Sequence, residues 1–326
     1  MTEDLINKKD IYYPSYQGTN DNLTSLLKKG TQTLCDWFSR SEKYGPLPLD
    51  DNFKSIMPDE DGNSTEDLFS EIKVLLNNSF NPVHPGSLAH LDPPPLIFSI
   101  LGDLIAAGLN NNLLAYELSP SVTLLEDSLC KWFAKKIGFN DSSGGIAASG
   151  GTLSNLNALI AARNNAGLGS NPNSVLLISE DAHSSFIKCI KIMGLNDMNL
   201  VRIKTDKQGR MDINNLRDTI NKCLIEDKKI FAIVATLGTT VRGAIDPIQE
   251  ISEICQERNI WLHIDGSIGG IFALTTLPIE GLKNINQANS ITINPQKIIG
   301  ITKTSSLLLV SNINTLENTF STGLPY

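Results

Sequence analysis

The sequence predicts an α/β fold built around a mostly parallel β-sheet. Beyond Gly144, short apolar runs of strand length alternate with segments that have helical periodicity. These runs are almost continuously apolar, which is typical of strands that are covered on both faces. Before Gly144 the apolar patterns are helical and are separated by turns rich in proline and glycine.

Two helices are predicted in the N-terminal part of the chain, within residues 1–85. The first is NLTSLLKKGTQTLCDWF. The second lies in STEDLFSEIKVLLNNSF, where Ser64 is the expected N-cap and Glu66 and Asp67 favour the first turn. The following run, HPGSLAHLDPPPL, contains too much proline and glycine for a helix and is predicted to be an ordered loop.

Two further helices are predicted before the sheet. One extends from Ile97 to Leu114, and the other follows Ser119-Pro120. The second helix carries four large apolar residues on one face: Leu125, Leu129, Trp132 and Phe133.

Six apolar runs are predicted to be strands. They lie at 174–179, 200–205, 230–238, 260–265, 290–293 and 305–311. In sheets of this kind, ligands bind at the carboxyl ends of strands and at the N-termini of helices. Polar residues at those points are therefore the candidates for a functional site.

The composition excludes several classes of protein. The 326 residues carry a net charge of −8, whereas a nucleic-acid-binding protein is expected to be basic. No apolar run reaches the ~20 residues that span a bilayer, and the N-terminus does not resemble a secretory signal. The five cysteines are scattered and lack CxxC spacing. These features favour a cytoplasmic protein with reduced thiols.

Lys297 and Asp265 form the most informative pair of residues. Lys297 lies in SITINPQKIIG, and Asp265 ends the apolar run IWLHID. A lysine amine forms a Schiff base with an aldehyde, and a buried carboxylate keeps a pyridine nitrogen protonated. Pyridoxal phosphate requires these two groups from a protein. Gly266 and Ser267 are small and would leave room for a planar ring beside Asp265.

A glycine-rich segment, Ser149 to Asn155, enters a predicted helix. Glycines at a helix start allow backbone amides to approach an anion, and the helix dipole favours a phosphate there. Thr152 adds a hydroxyl donor. The segment is not a Walker loop, because no lysine follows, and an ordinary glycine-rich N-cap would have the same pattern.

Two more candidates follow predicted strands. His183, after SVLLIS, would stack on a flat ring or transfer protons, although a helix-capping histidine is an alternative. Thr236 begins the run TLGTT, whose hydroxyls and amides would bind a carboxylate or orient a cofactor. The alternative there is a polar turn, in which Asp246-Pro247 starts the next helix.

A metal site is a further alternative at Asp265. His263 and Asp265 lie on the same face of a strand, and His183 would provide a third ligand. No further ligand cluster accompanies them, and no metal is expected.

Taken in order, SGGTLSN, DAHSS, ATLGTT with GAIDP, HIDGSIGG and NPQK resemble the pyridoxal-phosphate-dependent group II amino-acid decarboxylases. The resemblance runs from about His84 to the C-terminus. It implies a type I pyridoxal-phosphate-dependent transferase (aspartate aminotransferase-like) large domain over residues 86–326, with a mostly parallel seven-stranded sheet. Residues 1–85 would wrap the partner in a homodimer, and the small C-terminal domain of the family would be missing from this chain.

The resemblance also implies residue roles. Lys297 would carry the cofactor as a Schiff base, Asp265 would pair with its pyridine nitrogen, and His183 would stack on the ring. Gly151, Thr152 and Asn294 would bind the phosphate, Thr236 would lie near the cofactor and the substrate carboxylate, and Ser267 would lie behind the ring. Gly150 is a further cofactor-binding position. Tyr326 matches a loop tyrosine that protonates the substrate carbon after decarboxylation.

The implied activity is decarboxylation of an L-amino acid. Two positions depart from the family pattern, because Gln296 replaces a histidine and Ser267 replaces an alanine. Other pyridoxal-phosphate chemistry, such as a lyase or transaminase reaction, and cofactor binding without activity are the alternatives. The identity of the amino acid is not predicted, because HLDPPPL resembles the diaminobutyrate enzymes and the NPQK region resembles the glutamate and cysteine-sulfinate enzymes.

Overall fold

The computed structural model describes residues 13–14, 18–48, 57, 60, 63–88 and 91–323. The chain divides into two compact units, Met1–Pro94 and Pro95–Tyr326. The division falls within the three consecutive prolines at 93–95, a few residues beyond position 85. Proline restricts the backbone and cannot donate a hydrogen bond, so a run of prolines separates two packed units readily.

The first unit contains helices α1 (Asp21–Ser39) and α2 (Thr65–Asn77), close to the predicted bounds. Ser64 is the N-cap of α2, as predicted, and its Oγ accepts a hydrogen bond from the Asp67 amide at 3.1 Å. Phe69 is buried, and the Lys29 ammonium lies 4.3 Å from the centre of its ring.

The second unit contains eight helices in the described residues. They are α3 (Ile97–Leu109), α4 (Pro120–Ile137), α5 (Gly151–Asn165), α6 (Ser185–Ile192), α7 (Ile213–Ile225), α8 (Ile248–Arg258), the short α9 (Pro295–Ile298) and α10 (Asn314–Phe320). Helix α3 ends before the predicted Leu114, because Asn110 adopts a left-handed conformation at its C-cap. In the described part of the chain, no helix is both long and apolar enough to cross a membrane.

The buried face of α4 differs from the apolar face read from the sequence. Of the four residues on that face, only Phe133 is buried. The residues that pack on the core are Cys130, Phe133, Ala134 and Ile137, at the i, i+3, i+4, i+7 spacing of one helix stripe.

Seven strands of the described chain form one sheet. They are β1 (Gly144–Ala148), β2 (Ser174–Ser179), β3 (Leu200–Ile203), β4 (Lys229–Thr236), β5 (Trp261–Gly266), β6 (Ser290–Ile293) and β7 (Ser306–Val310). The order is β1-β7-β6-β5-β4-β2-β3, and β7 is antiparallel to both of its neighbours while the other pairs are parallel. The seven-stranded, mostly parallel sheet is therefore confirmed.

Strand β1 was not among the six predicted runs. Its sequence, GGIAA, has a single β-branched residue, and it pairs with the strongly apolar β7. Gly145 lies opposite Leu309, and a Cβ at Gly145 would lie 2.8 Å from the Leu309 side chain. The strand exists because β7 provides a pairing partner, which local propensity does not reveal.

Helices cover both faces of the sheet, as the apolar runs predict. On one face, Phe133 of α4, Leu216 of α7 and Ile251 of α8 belong to the same buried cluster as the strand residues Ile233 and Ile264. The other face packs against α5 and α6; its cluster includes Leu159, Phe186, Leu176 and Val234. This packing holds the N-terminus of α5 in a fixed position relative to strands β4, β5 and β6.

Candidate active site

A cavity of about 550 Å³ opens at the carboxyl edge of β4, β5 and β6. It brings together nine of the ten residues predicted from the sequence: Gly150, Gly151, Thr152, His183, Thr236, Asp265, Ser267, Asn294 and Lys297. The tenth, Tyr326, lies outside the described residues. The volume falls in the range of small-molecule and cofactor sites.

Sheet register explains why residues distant in sequence meet here. Thr236 pairs with Asp265, and Asp265 pairs with Thr292 on the next strand, so the three side chains lie in a row on one face. Asn294 directly follows β6, and α5 begins at Gly151. Parallel strands end at the same edge, so their terminal residues converge on the start of this helix.

The absence of a side chain at Gly151 leaves space that no other residue could leave. A Cβ at this position would lie 2.8 Å from Asn294 Nδ2 and 2.9 Å from Ser267 Oγ, closer than van der Waals contact. The amide and hydroxyl groups of three elements therefore surround a narrow space at the N-terminus of α5. Such a cluster of donors at a helix N-terminus is suited to an anion.

Hydrogen bonds fix the orientation of the Asn294 amide. Ser306 Oγ donates to Asn294 Oδ1 at 2.7 Å, and Ser154 Oγ lies 2.7 Å from Ser306 Oγ. Because the single hydroxyl hydrogen of Ser306 is given to Asn294, Ser154 is the donor in the second bond. Asn294 Nδ2 is thereby left as the donor on the cavity side, beside Gly151.

Asp265 is 5% exposed, and each of its oxygens accepts one hydrogen bond. The Ser267 amide donates to Oδ1 at 3.1 Å, and Asn155 Nδ2 donates to Oδ2 at 3.2 Å. Buried carboxylates require such partners, because desolvation is otherwise costly. The carboxylate is held in one orientation at the wall of the cavity.

His263 is neutral and is fully engaged within the protein. Burial lowers the pKa of the His263 imidazole to about 4, although the nearby Asp265 charge opposes this shift. Its Nδ1 lies 2.8 Å from Ser290 Oγ and its Nε2 lies 3.0 Å from Asn155 Oδ1. Neither nitrogen is available as a metal ligand, which removes the first ligand of the alternative metal site. Among the described residues, no cluster of three or more His, Cys, Asp or Glu side chains could hold a metal ion.

His183 is bound to the start of a helix and also faces the cavity. Its Nδ1 accepts a hydrogen bond from the Ser185 amide at 3.1 Å, at the start of α6, so the histidine does cap this helix. The ring is nevertheless exposed and lines the cavity. The capping bond restrains the ring while its face remains accessible to a ligand.

Two buried hydroxyl groups in the cavity wall have no hydrogen-bond partner among the described residues. They are Thr236 Oγ1 and Ser185 Oγ. Buried polar atoms are rarely left unpaired, so both hydroxyls are suited to bind a polar ligand in the cavity. Ser185 was not identified from the sequence, although it lies in the quoted DAHSS segment.

Lys297 is half-buried on α9, immediately after β6. Its neighbour Gln296 also lines the cavity, and Gln296 Oε1 accepts a hydrogen bond from the Ser305 amide at 2.6 Å. Gln296 thus connects the lysine-bearing turn to the residue that precedes β7. The amide oxygen of Gln296 makes this contact, which does not require a titrating group at position 296.

Asp246 stabilises the end of β4, which lines the cavity. Its oxygens accept hydrogen bonds from the Met211 amide at 2.7 Å and from the Thr236 amide at 2.8 Å. Burial raises the pKa of Asp246 to about 6, against the two N–H donors that favour the charged form. Asp246 therefore fixes the end of β4, whereas helix α8 begins later, at Ile248.

Comparison with known proteins identifies the family and supports the fold. Residues 49–326 match the model of the pyridoxal-dependent decarboxylase conserved domain. The chain is 30% identical over 292 residues to the L-aspartate decarboxylase dtxS4 of Metarhizium robertsii, covering 87% of this chain and 58% of that protein. It is 29% identical over 296 residues to the L-2,4-diaminobutyrate decarboxylase of Acinetobacter baumannii, covering 84% and 58%.

A solved structure gives the same fold. The glutamate decarboxylase domain of a diaminobutyrate-pyruvate transaminase and L-2,4-diaminobutyrate decarboxylase from Vibrio parahaemolyticus superposes with a TM-score of 0.90 at 24% identity, over 98% of this chain and 73% of that chain. The chain spans less than two thirds of the length of the two curated relatives. The match to the family model covers most of the chain, and the chain therefore belongs to the pyridoxal-dependent decarboxylase family, whose cofactor is pyridoxal phosphate.

Proposed function

We propose that this chain binds pyridoxal phosphate in the 550 Å³ cavity, and that the protein decarboxylates an L-amino acid. The observation that carries the proposal is the convergence of nine predicted residues on one cavity. They come from five separate segments of the chain, which lie far apart in the sequence and meet only in the folded protein.

The residues of the cavity fit this cofactor. The space left by Gly151, with Asn294 Nδ2 and Ser267 Oγ beside it, suits a phosphate. The unpartnered hydroxyls of Thr236 and Ser185 are ready to bind polar groups of the cofactor or substrate. The deeply buried carboxylate of Asp265 suits a pyridinium nitrogen.

Each residue then has a role. Lys297 would hold the cofactor covalently through its ε-amino group, and Gly150, Gly151, Thr152 and Asn294 would hold the phosphate. Asp265 would keep a negative charge beside the ring nitrogen, and His183 would lie against the ring face. When bound, pyridoxal phosphate accepts the electron pair that is released when a bond at Cα of the amino acid breaks. The protein selects that bond by orienting the substrate.

Lys297→Ala tests the assignment directly. Without the ε-amino group, the purified protein should lose the visible absorption of the covalently held cofactor. Lys207→Ala, at an exposed lysine outside the cavity, is the matched control and should keep the absorption. An unchanged spectrum in Lys297→Ala would show that another group holds the cofactor.

The reaction and substrate require a separate assay. The full-length gene product, incubated with glutamate, aspartate, diaminobutyrate and aromatic amino acids, should release carbon dioxide from at least one of them. Keto-acid formation without carbon dioxide would instead favour a transaminase, a reaction that the Gln296 and Ser267 substitutions leave open. Cofactor binding without any turnover would reduce the proposal to a binding protein.

We also propose that the protein is a homodimer in the cytoplasm. Helix α3 is almost entirely apolar, yet none of its residues is buried, and Ile97 and Phe98 are 83% and 85% exposed. A helix that is apolar on every side is normally covered. In the first unit, Leu23, Leu26, Leu68 and Val74 are also exposed, as expected for a segment that wraps a partner. The five cysteines are free, which is consistent with a reducing compartment.

Light scattering on the purified chain tests the dimer. The expected mass is twice the 35.5 kDa of one chain. Phe98→Glu should produce a monomer, because it introduces a charge into the proposed interface. Ile225→Glu, which changes an apolar residue that is 87% exposed on α7, should leave the dimer intact. A monomeric wild type would contradict the proposal and would indicate that another segment covers α3.

A further inference from the structure

Five buried side chains form a continuous hydrogen-bond chain that ends on Asp265. Trp261 Nε1 lies 2.8 Å from Ser290 Oγ, and Ser290 Oγ lies 2.8 Å from His263 Nδ1. His263 Nε2 lies 3.0 Å from Asn155 Oδ1, and Asn155 Nδ2 lies 3.2 Å from Asp265 Oδ2. Each of the five residues is at most 6% exposed, so water does not compete for these contacts.

With His263 as a neutral imidazole, the donors and acceptors in this chain can be arranged in one way only. The Trp261 indole is always a donor, so Ser290 accepts from it and uses its own hydrogen to donate to His263 Nδ1. His263 then carries its proton on Nε2 and donates it to Asn155 Oδ1. The opposite tautomer would place two acceptors in contact at Asn155, and rotating the amide would direct its oxygen at the Asp265 carboxylate.

The chain connects three elements around the cavity. His263 and Asp265 are two residues apart on β5 and share one face, and Ser290 is the register partner of His263 on β6. Asn155 lies one turn into α5, four residues after Gly151. It therefore links the helix whose N-terminus suits a phosphate to the carboxylate that would face the other end of the same cofactor.

We infer that Asn155 is a positioning residue for Asp265, and that His263, Ser290 and Trp261 fix Asn155 in the orientation that this requires. The inference rests on the proposed role of Asp265 at the pyridine nitrogen. The Ser267 amide holds one carboxylate oxygen and Asn155 holds the other, so the carboxylate cannot rotate without losing both bonds. Both donors, a side-chain amide and a backbone amide, are uncharged groups.

Asn155→Ala tests the inference, with Asn199→Ala as the matched control. Asn199 is also buried, but its Nδ2 donates to the carbonyl groups of Pro172 and Ser174, and it does not line the cavity. Both variants should unfold at lower temperature. Asn155→Ala alone should raise the Kd for pyridoxal phosphate by about tenfold or more and shift the visible band of the bound cofactor.

A second measurement needs no cofactor. The chain has four histidines, so the ring nitrogens of ¹⁵N-histidine-labelled protein give a simple NMR spectrum, and His263→Gln identifies the signal of His263. The wild type should carry the proton on Nε2, with slow exchange against solvent. Asn155→Ala should accelerate this exchange, and Asn199→Ala should not.

The outcomes separate this inference from the proposed function. If Asp265→Ala binds the cofactor with unchanged affinity and spectrum, the proposed role of Asp265 is wrong. If Asp265→Ala loses the cofactor while Asn155→Ala behaves like Asn199→Ala, the proposed function stands and Asn155 is only structural. A His263 proton on Nδ1 in the wild type would overturn the arrangement of the whole chain.

Discussion

At Gly151 the volume of a single methyl group decides whether an anion fits. A Cβ would lie 2.8 Å from Asn294 Nδ2 and 2.9 Å from Ser267 Oγ, so one of these groups would have to move. Both belong to buried or half-buried segments with fixed neighbours. The glycine is therefore required by the site, whereas many other glycines in this chain have open space around them.

Gly151→Ala should weaken cofactor binding more than it weakens the fold. Overpacking in a fixed environment costs about 1–3 kcal/mol, and here the cost falls on the groups that would hold the phosphate. Titration with pyridoxal phosphate should give a Kd raised by about fivefold or more. Gly169→Ala, where a Cβ meets nothing within 4 Å, is the control and should bind normally. Equal affinity in the two variants would contradict the assignment of this space to the phosphate.

Ser306 should affect phosphate binding through its hydrogen bond to Asn294. Ser306→Ala removes the donor to Asn294 Oδ1 and frees the amide to rotate, so its nitrogen is no longer fixed toward the cavity. We expect a severalfold loss of affinity for pyridoxal phosphate and little loss for pyridoxal, which lacks the phosphate. Ser252→Ala, at a buried serine on α8, should change neither. A loss that is the same for both ligands would point to a general structural defect.

At the scale of elements, Arg163 joins the end of α5 to two other segments. Its guanidinium is buried and donates to three carbonyl groups: Leu168 at 3.0 Å, Asn171 at 3.0 Å and Met193 at 3.1 Å. These carbonyls belong to the loop before β2 and to the end of α6. A planar guanidinium reaches all three at once, and a lysine ammonium does not.

Arg163→Lys should therefore destabilise the fold without changing the cavity. A lysine keeps one of the three bonds, and each of the two carbonyls left unpaired costs about 1–3 kcal/mol, so a total loss of roughly 2–6 kcal/mol is expected in urea unfolding. Arg217→Lys is the control, because Arg217 is exposed and its ion-pair partner Glu257 is 4.0 Å away. A variant as stable as the control would mean that water replaces the lost donors.

At the scale of the whole molecule, two buried groups make the free energy of unfolding depend on pH in opposite directions. The pKa of His263 is lowered to about 4 from its ordinary 6.5, so the unfolded chain binds this proton first. The free energy of unfolding therefore falls as the pH falls between those values. The pKa of Asp246 is raised to about 6 from 3.8, so the folded chain binds that proton first, and the free energy of unfolding rises as the pH falls through this window.

Single variants separate these two contributions. As the pH is lowered from about 7 to about 4.5, the stability advantage of the wild type over Asp246→Asn should grow, and its advantage over His263→Gln should shrink. Urea unfolding of the three proteins over a pH series measures both trends. Differences that do not depend on pH would show that neither group has a shifted pKa in the folded chain.

The sequence identified most of the site because of a general property of parallel sheets. Thr236, Asp265 and Asn294 follow three separate apolar runs, and residues at the carboxyl ends of parallel strands meet at one edge. The same argument could not find β1, whose pairing depends on β7, nor the buried face of α4, which depends on the elements that it packs against.

The amino-acid sequence by itself determined the class of fold, the family resemblance and the residues proposed to bind the cofactor, because these depend on periodicity and local order. Tertiary structure alone decided how those residues are held. Asn155 and His263 are 108 positions apart and Ser154 and Ser306 are 152 apart, yet each pair forms a buried hydrogen bond. Such contacts depend on strand order and register, which a sequence pattern does not encode locally, and they set the orientation of Asp265 and Asn294 at the cavity.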